Sequence, residues 1–170
     1  MGKPVLFLML GNPGAGKTTA GKHIAELTGA IQLSSDQIRI QMFSKPTFSQ
    51  HEHDRLYKAI DKQTEDLLRQ GISVIYDANL NRYQHRKDKY DSCKRTGAQA
   101  VLIWRQTPRD IAKKRATHLE REHLIPPNET AEKMFERITS VIEKPKPSEK
   151  PVILKGEDIT KEAIKKALNL

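Results

Sequence analysis

Aromatic residues make up only 5% of this 170-residue chain, cysteine occurs once, and no apolar run approaches the ~20 residues of a membrane-spanning helix. Cys93 alone cannot close an internal disulfide, so a disulfide-stapled secreted scaffold is excluded and a reducing, cytoplasmic setting is expected. The first residues run straight into an apolar stretch, without the charged segment, apolar core and cleavage site of a signal peptide, so no signal peptide is expected, and the lack of a spanning run leaves no membrane partner expected. Internal repeats and low-complexity segments are also missing. The histidines offer no metal site. His51 and His53 are two apart, a spacing that does not bring side chains together on a helix, and neither they nor His118 and His123 have zinc-finger partners, so no zinc is expected. No N-K-x-D guanine signature occurs, which disfavours a GTPase switch.

What the chain does have is charge. Lys and Arg number 30 against 21 Asp and Glu, a net charge of +9, which favours anionic partners such as nucleotides, phosphorylated small molecules or nucleic acid. It also has one strong motif. Gly11-Asn12-Pro13-Gly14-Ala15-Gly16-Lys17-Thr18 is a complete G-x-x-x-x-G-K-[ST] loop, lying between the apolar run Val5–Leu10 and a helix-compatible stretch from Lys17 toward Leu27. Glycines let the backbone close tightly around a polyphosphate, so that successive N–H groups form an anion nest. Lys17 adds a mobile cation, the helix N-terminus a partial positive charge, and the Thr18 hydroxyl a ligand for the Mg²⁺ of a nucleoside triphosphate. Gly11 through Thr19 are therefore the expected nucleotide-binding residues.

The rest of the chain alternates strand and helix. Ile31–Ser34, Ile72–Tyr76, Ala100–Trp104 and Val152–Leu154 read as further strands. Between them lie a helix opened by Ser35-Asp36, a long helix with Leu56, Tyr57, Ile60, Thr64, Leu67 and Leu68 at helical spacing and stopped by Gly71, and a polar helix ending near Thr96. A basic helix opened by Thr107-Pro108 follows, then a helix with Met134, Phe135, Ile138, Val141 and Ile142 on its apolar face, and a closing helix over Ile159–Leu168. This alternation implies an α/β fold, a five-stranded parallel sheet covered by helices on both faces, in a single domain over 1–170.

In such sheets ligands sit beyond the carboxyl ends of the strands. Asp36 and Arg39, three apart after the second strand, share one helix face, where a carboxylate could orient a hydroxyl and take its proton while the guanidinium steadies a phosphoryl group. A helix cap with an intrahelical ion pair is the competing account. Asp77, closing the third strand, reads either as a guide for a magnesium-bound water or acceptor hydroxyl, or as a turn residue bonded to backbone. No glutamate follows Asp77-Ala78 to activate water, which disfavours a motor ATPase. Arg82 and Arg86 are four apart on a predicted helix and could face one anion. They belong to a basic cluster with Lys87, Lys89, Lys94 and Arg95. A second cluster runs from Arg105 and Arg109 to Arg115 and Arg121, and solvated helix faces would account for most of these charges.

The ordered set of Gly11–Thr18, Ser35-Asp36-x-x-Arg39, Asp77-Ala78-Asn79 with Arg82 and Arg86, and Thr107-Pro108 with an arginine-bearing segment resembles the polynucleotide 5′-hydroxyl kinase-like group of P-loop kinases, together with zeta-toxin and AAA-type kinases. The resemblance spans most of the chain. It implies a P-loop kinase fold with a small helical lid over about 107–127, ATP and Mg²⁺ as cofactors, and Lys17, Asp36, Arg39 and Arg115 as catalytic residues, Asp36 being the general base. It also implies Asp77, Asn79, Arg82 and Arg86 on the acceptor side, with Arg115 and Arg121 gripping the donor phosphates. The lid departs from the pattern, because Leu119 stands where a second arginine one turn from Arg115 would be. Arg115 and Arg121 lie about 600° apart by helical rotation, on different faces of a continuous helix. Arg115, placed mid-helix, is the first candidate for the γ-phosphate, then Arg121 and Arg109. The expected activity is transfer of the γ-phosphate to a hydroxyl, most plausibly the 5′ end of nucleic acid or a nucleotide. A small-molecule acceptor such as a sugar, shikimate-like acid, nucleotide-sugar or antibiotic is the alternative, and a nucleotide-hydrolysing switch the third.

Overall fold

A computed structural model of the protein describes residues 2–118 and 124–170. Its five strands form one parallel sheet in the order β2-β3-β1-β4-β5, with β1 at Val5–Leu10, β2 at Ile31–Ser34, β3 at Val74–Asp77, β4 at Gln99–Gln106 and β5 at Val152–Lys155. The six apolar residues of β1 explain its central place, because a strand covered on both faces must be apolar on both. Leu6, Leu8 and Leu10 point to one side, where they meet Leu56, Ile60 and Leu68 of α3 (Gln50–Arg69) and Cys93 of α4 (Tyr83–Thr96). Phe7 and Met9 point to the other, against Ala20 and Ile24 of α1 (Lys17–Thr28) and Ile164 of α7 (Lys161–Ala167). The two-residue period of the strand thus divides one hydrophobic run between two cores.

α3 buries Leu56, Ile60, Thr64 and Leu68, a stripe at four-residue spacing, and opens on Ser49, whose hydroxyl accepts from Glu52 N at 3.2 Å. Between β4 and β5 the chain carries two further helices, α5 (Arg109–Ala116) and α6 (Ala131–Ser140), which pack through Ala112, Ala116 and Phe135. α6 stops at Ser140, so Val141 and Ile142 do not share its face as their spacing predicts. Ile142 packs on the α3/α4 core instead, while Met134 and Ile138 turn toward the open edge of the sheet.

Register decides what shares that edge. Leu8 pairs with Tyr76, Leu10 with Trp104 and Ser34 with Asp77, so the chain leaves β1, β2 and β3 at nearly one level, while β4 runs on past Trp104 to Gln106 beside β5. Asp77 is the last residue of β3 rather than the first residue of a turn, and this sets its carboxylate on the sheet edge. Ile72 and Ser73, expected in the strand, precede it, with Ser73 Oγ accepting from Val5 N at 2.9 Å. Among the described residues no helix is long and apolar enough to cross a membrane.

Candidate active site

A cavity of about 550 Å³ opens at this edge. Its wall includes Gly11, Pro13, Gly14, Gly16, Lys17, Thr18 and Thr19 of the loop after β1, which were expected together. Asn12 and Ala15 serve the loop from within: Asn12 O accepts from Lys17 Nζ at 2.9 Å, and Ala15 is buried with its carbonyl accepting from Thr107 Oγ1 at 2.7 Å. Thr107 therefore spends its hydroxyl on the loop and does not cap α5, whose N-cap is Pro108. Lys17 Nζ also donates to Gly11 O at 2.9 Å, so its ammonium is folded over the loop it would share with a phosphate.

Gly14 has φ of 75°, and a Cβ there would lie 2.1 Å from the Ala112 carbonyl of α5. The space vacated at Gly14 is thus filled by backbone of α5, which packs that helix directly on the loop. Sequence alone suggests a different beneficiary, the phosphate.

Thr18 Oγ1 donates to Asp77 Oδ2 at 2.7 Å, and Gln32 Nε2 donates to the same oxygen at 3.3 Å and to Thr18 O at 3.2 Å. A hydroxyl and a carboxylate oxygen in contact at the mouth of a phosphate loop are hard donors suited to Mg²⁺, which takes the rest of its shell from phosphate and water. The donor set fits that ion. Gln32 was not picked out by sequence, since a lone polar residue in a short edge strand carries no pattern.

Asp36 sits half-buried in the first turn of α2 (Ser35–Met42) and lines the cavity. The N-cap is Ser34 with no side-chain cap bond, so Asp36 does not cap the helix. Arg39, also on the wall, is buried and pairs with Glu52 of α3 rather than within its own helix, while its Cζ lies 4.5 Å from the centroid of the Phe48 ring. Burial works to raise the Glu52 carboxyl, but hydrogen bonds from Thr47 N, Arg39, the Thr47 hydroxyl and Phe48 N outweigh it and hold it below the ordinary carboxylate range. Phe48 is a left-handed residue with φ of 57°, a conformation that costs a non-glycine residue about 1–2 kcal/mol.

Tyr57 completes this side. Its hydroxyl accepts from Asn79 N at 2.9 Å and bonds to the Ser35 side chain, and burial raises it above its ordinary value. The ring of His53 stacks on it at 4.4 Å, and burial, then the Arg39 charge, lowers that imidazole. Phe48, His53 and Tyr57 were not anticipated. Only the pairing of α2 with α3 brings them to the wall.

On the opposite side Arg115 donates to Glu157 O at 3.1 Å and to Asp158 Oδ1 at 3.2 Å, so it rests on the β5–α7 loop. It lies in the last turn of α5, not mid-helix. Arg105, at the end of β4, donates to the carbonyls of Leu154, Gly156 and Glu157. Burial, then the Arg115 charge, lowers its pKa. Arg109 of α5 pairs with Glu136 of α6 and does not line the cavity. Arg137 of α6, paired with Glu129, does line the cavity and was missed because no motif marks it. Arg121 lies outside the described residues.

Two acceptor candidates do not reach the site. Arg86 is 0% exposed, donates through Nε and Nη2 to Glu149 at 2.7 and 3.1 Å, and gives Nη1 to Leu80 O and Asn81 O at 2.9 and 3.3 Å. It pins the β3–α4 loop and faces no ligand. Arg82 is the exposed N-cap of α4, so the two arginines do not share an anion. Most of the surrounding basic cluster is matched by carboxylates: Lys87 and Lys94 by Asp91, Lys89 by Asp61, Arg95 by Glu65. Asn79, by contrast, does line the cavity.

The model of a family described as an AAA domain matches residues 6–145. No curated protein matches the chain in sequence. Among solved structures, a candidate kinase from Chloroflexus aurantiacus superposes with a TM-score of 0.76 at 18% identity, over 99% of this chain and 98% of that one. A component of the Pnkp1/Rnl/Hen1 RNA repair complex superposes with a TM-score of 0.67 at 19% identity, over 83% and 45%. A gluconokinase from Sinorhizobium meliloti does so with 0.65 at 15%, over 99% and 92%. At these identities the likeness is one of fold, and the fold is that of P-loop kinases.

Proposed function

We propose, on the premise that this chain belongs to the AAA domain family, that it is an ATP-dependent kinase acting on an alcohol, the acceptor being the 5′-hydroxyl of a polynucleotide or nucleotide. The observation that carries this reading is the meeting, on one cavity wall, of the phosphate loop with Asp36 and Arg39. Phosphoryl transfer requires a charge clamp, an oriented hydroxyl and a proton acceptor, and these residue types supply each.

The loop amides and Lys17 hold the β- and γ-phosphates of the donor, Lys17 exchanging the carbonyls of Gly11 and Asn12 for phosphate oxygens. Thr18 and Asp77 would hold Mg²⁺, which when bound neutralises developing charge on the bridging and terminal phosphate oxygens. Asp36 receives the proton of the acceptor hydroxyl as its oxygen bonds to the γ-phosphorus, the bond to the β-phosphate oxygen breaks, and ADP leaves. Arg39 holds the acceptor or the transferring group from the same helix. Arg115 covers the donor from the lid. The chain acts as one kinase domain, with α5 and the residues up to His118 as the described part of its lid; residues 119–123 of the stretch expected to form that lid lie outside the described residues.

A second reading, a small-molecule acceptor, draws support from the burial of Arg86 and the carboxylate partners of the α4 cations, which remove an extended basic track beside the site. One experiment separates the readings. The purified protein is given γ-labelled ATP with 5′-hydroxyl oligonucleotides, nucleosides and sugars at two salt concentrations, with Lys17→Ala as the blank. Label on an oligonucleotide, falling steeply with salt, supports the first acceptor class. Label on a sugar or nucleoside, with weak salt dependence, replaces it by the second. Release of phosphate without transfer to any acceptor refutes the kinase reading.

A further inference from the structure

Glu52 is a carboxylate that the phosphoryl-transfer chemistry does not use, yet it is buried beside it. It is 5% exposed, and its oxygens accept from Arg39, from Thr47 N at 2.6 Å and from Thr47 Oγ1 at 2.9 Å. A buried charge persists in a fold when each of its lone pairs is answered, and here all the answers come from two places: the cavity arginine and the loop between α2 and α3. That loop places Phe48, in its left-handed conformation, with its ring centroid 4.5 Å from Arg39 Cζ, over the guanidinium that Glu52 holds at Nη1. Strained residues held by surrounding bonds gather where a side chain must be kept in one place. Glu52 also sits where a helix-capping carboxylate would reach back to its own N-cap, but its side chain turns to Thr47 instead, while Ser49 caps α3. Its side chain is thus committed to the loop and to Arg39.

We propose that Glu52 is the positioning residue of the acceptor subsite: it clamps Arg39 from one edge through Nη1 and, by tying down the loop, from its face through Phe48, so that the remaining guanidinium N–H groups present one fixed edge to the acceptor. The inference rests on the kinase reading for what the edge binds. Because Glu52 matches the Arg39 charge, the subsite selects by hydrogen-bond direction more than by net charge. An arginine so held is preorganised, and misplacing such a group by about 1 Å costs on the order of 10²-fold in turnover.

The test is a double-mutant cycle of Arg39→Ala and Glu52→Ala, with Glu52→Gln as the conservative variant, read on phosphorylation of a 5′-hydroxyl oligonucleotide or whichever acceptor takes label. Alongside it, the Arg39 guanidinium N–H resonances, assigned by their loss in Arg39→Lys, are followed by NMR without substrates. Expected are a roughly 10²-fold loss of kcat/KM for the acceptor in Glu52→Ala, unchanged affinity for a fluorescent ATP analogue, partial rescue in Glu52→Gln, and a double variant no worse than Arg39→Ala. The resonances, protected from exchange in the parent protein, lose protection in Glu52→Ala. Additive losses in the cycle, or protection that survives Glu52→Ala, overturn the proposal. If Glu52→Ala does not fold, Glu52→Gln carries the cycle. If no acceptor is phosphorylated by the parent protein, the kinase reading fails by itself, while the resonances still decide whether Glu52 holds Arg39.

Discussion

Replacing Arg86 by alanine separates two roles for an arginine that sequence pattern would place at an acceptor phosphate. Arg86 is 0% exposed and the Glu149 side chain only 2%, and the pair is joined by two hydrogen bonds of 2.7 and 3.1 Å. Glu149 also accepts from Tyr90 Oη and from Lys146 N, both at 2.7 Å, so the carboxylate ties two residues of α4, Arg86 and Tyr90, to its own distant segment. Truncating the arginine leaves that carboxylate buried with its main counter-charge gone, a change that costs about 3–5 kcal/mol. For a domain of this size each kcal/mol moves Tm by about 2–4 °C, so Arg86→Ala should lower it by roughly 6–20 °C. Replacing Arg86 and Glu149 together by methionine should recover most of the loss, because no charge is then stranded. Thermal and urea unfolding monitored by circular dichroism measure this directly. An Arg86→Ala protein with parental Tm and a raised acceptor KM would refute the structural assignment and return Arg86 to the acceptor.

Three further outcomes are expected. Asp36→Asn should lower kcat by about 10²–10⁴ with nucleotide affinity near the parental value, and a matching loss of nucleotide binding in a fluorescent-analogue titration would demote Asp36 to a structural residue. Gly14→Ala should weaken both nucleotide affinity and stability, since the new Cβ meets the Ala112 carbonyl at 2.1 Å; parental values for both would mean α5 does not rest on the loop. Acid should unfold the protein through Glu52 and Glu149, both held below the ordinary carboxylate range in the folded state. Their contribution is complete above about pH 4.3, where the unfolded groups titrate, and is lost as pH falls through the folded values. Unfolding free energies between pH 3 and 6 should show that slope, and Glu149→Gln should flatten it.

The strands were legible because a covered parallel strand must be a short apolar run, and β1, β2 and β5 begin where the sequence suggests. β3 and β4 shifted by one or two residues at their ends, where ladder pairing, not composition, sets the limit. The placement of the glycine-rich loop after β1 and of Asp77 at the end of β3 was legible for a related reason: it follows from local backbone form and from position at a strand end. Asp36 and Arg39 were legible as a pair on one face, but not as what they became. Arg39 turned to Glu52, thirteen residues on, instead of to Asp36.

Local order in the chain was therefore enough to determine a glycine-rich loop on a parallel sheet and the sheet edge where that loop, Asp36 and Asp77 line one cavity, because hydrophobic period and glycine geometry act over a few residues. The fate of each cation was decided only by the tertiary structure. An arginine carries the same five donors wherever it lies, and whether it meets a carboxylate sixty-three residues away, as Arg86 meets Glu149, or opens onto a cavity depends on which elements the fold sets side by side.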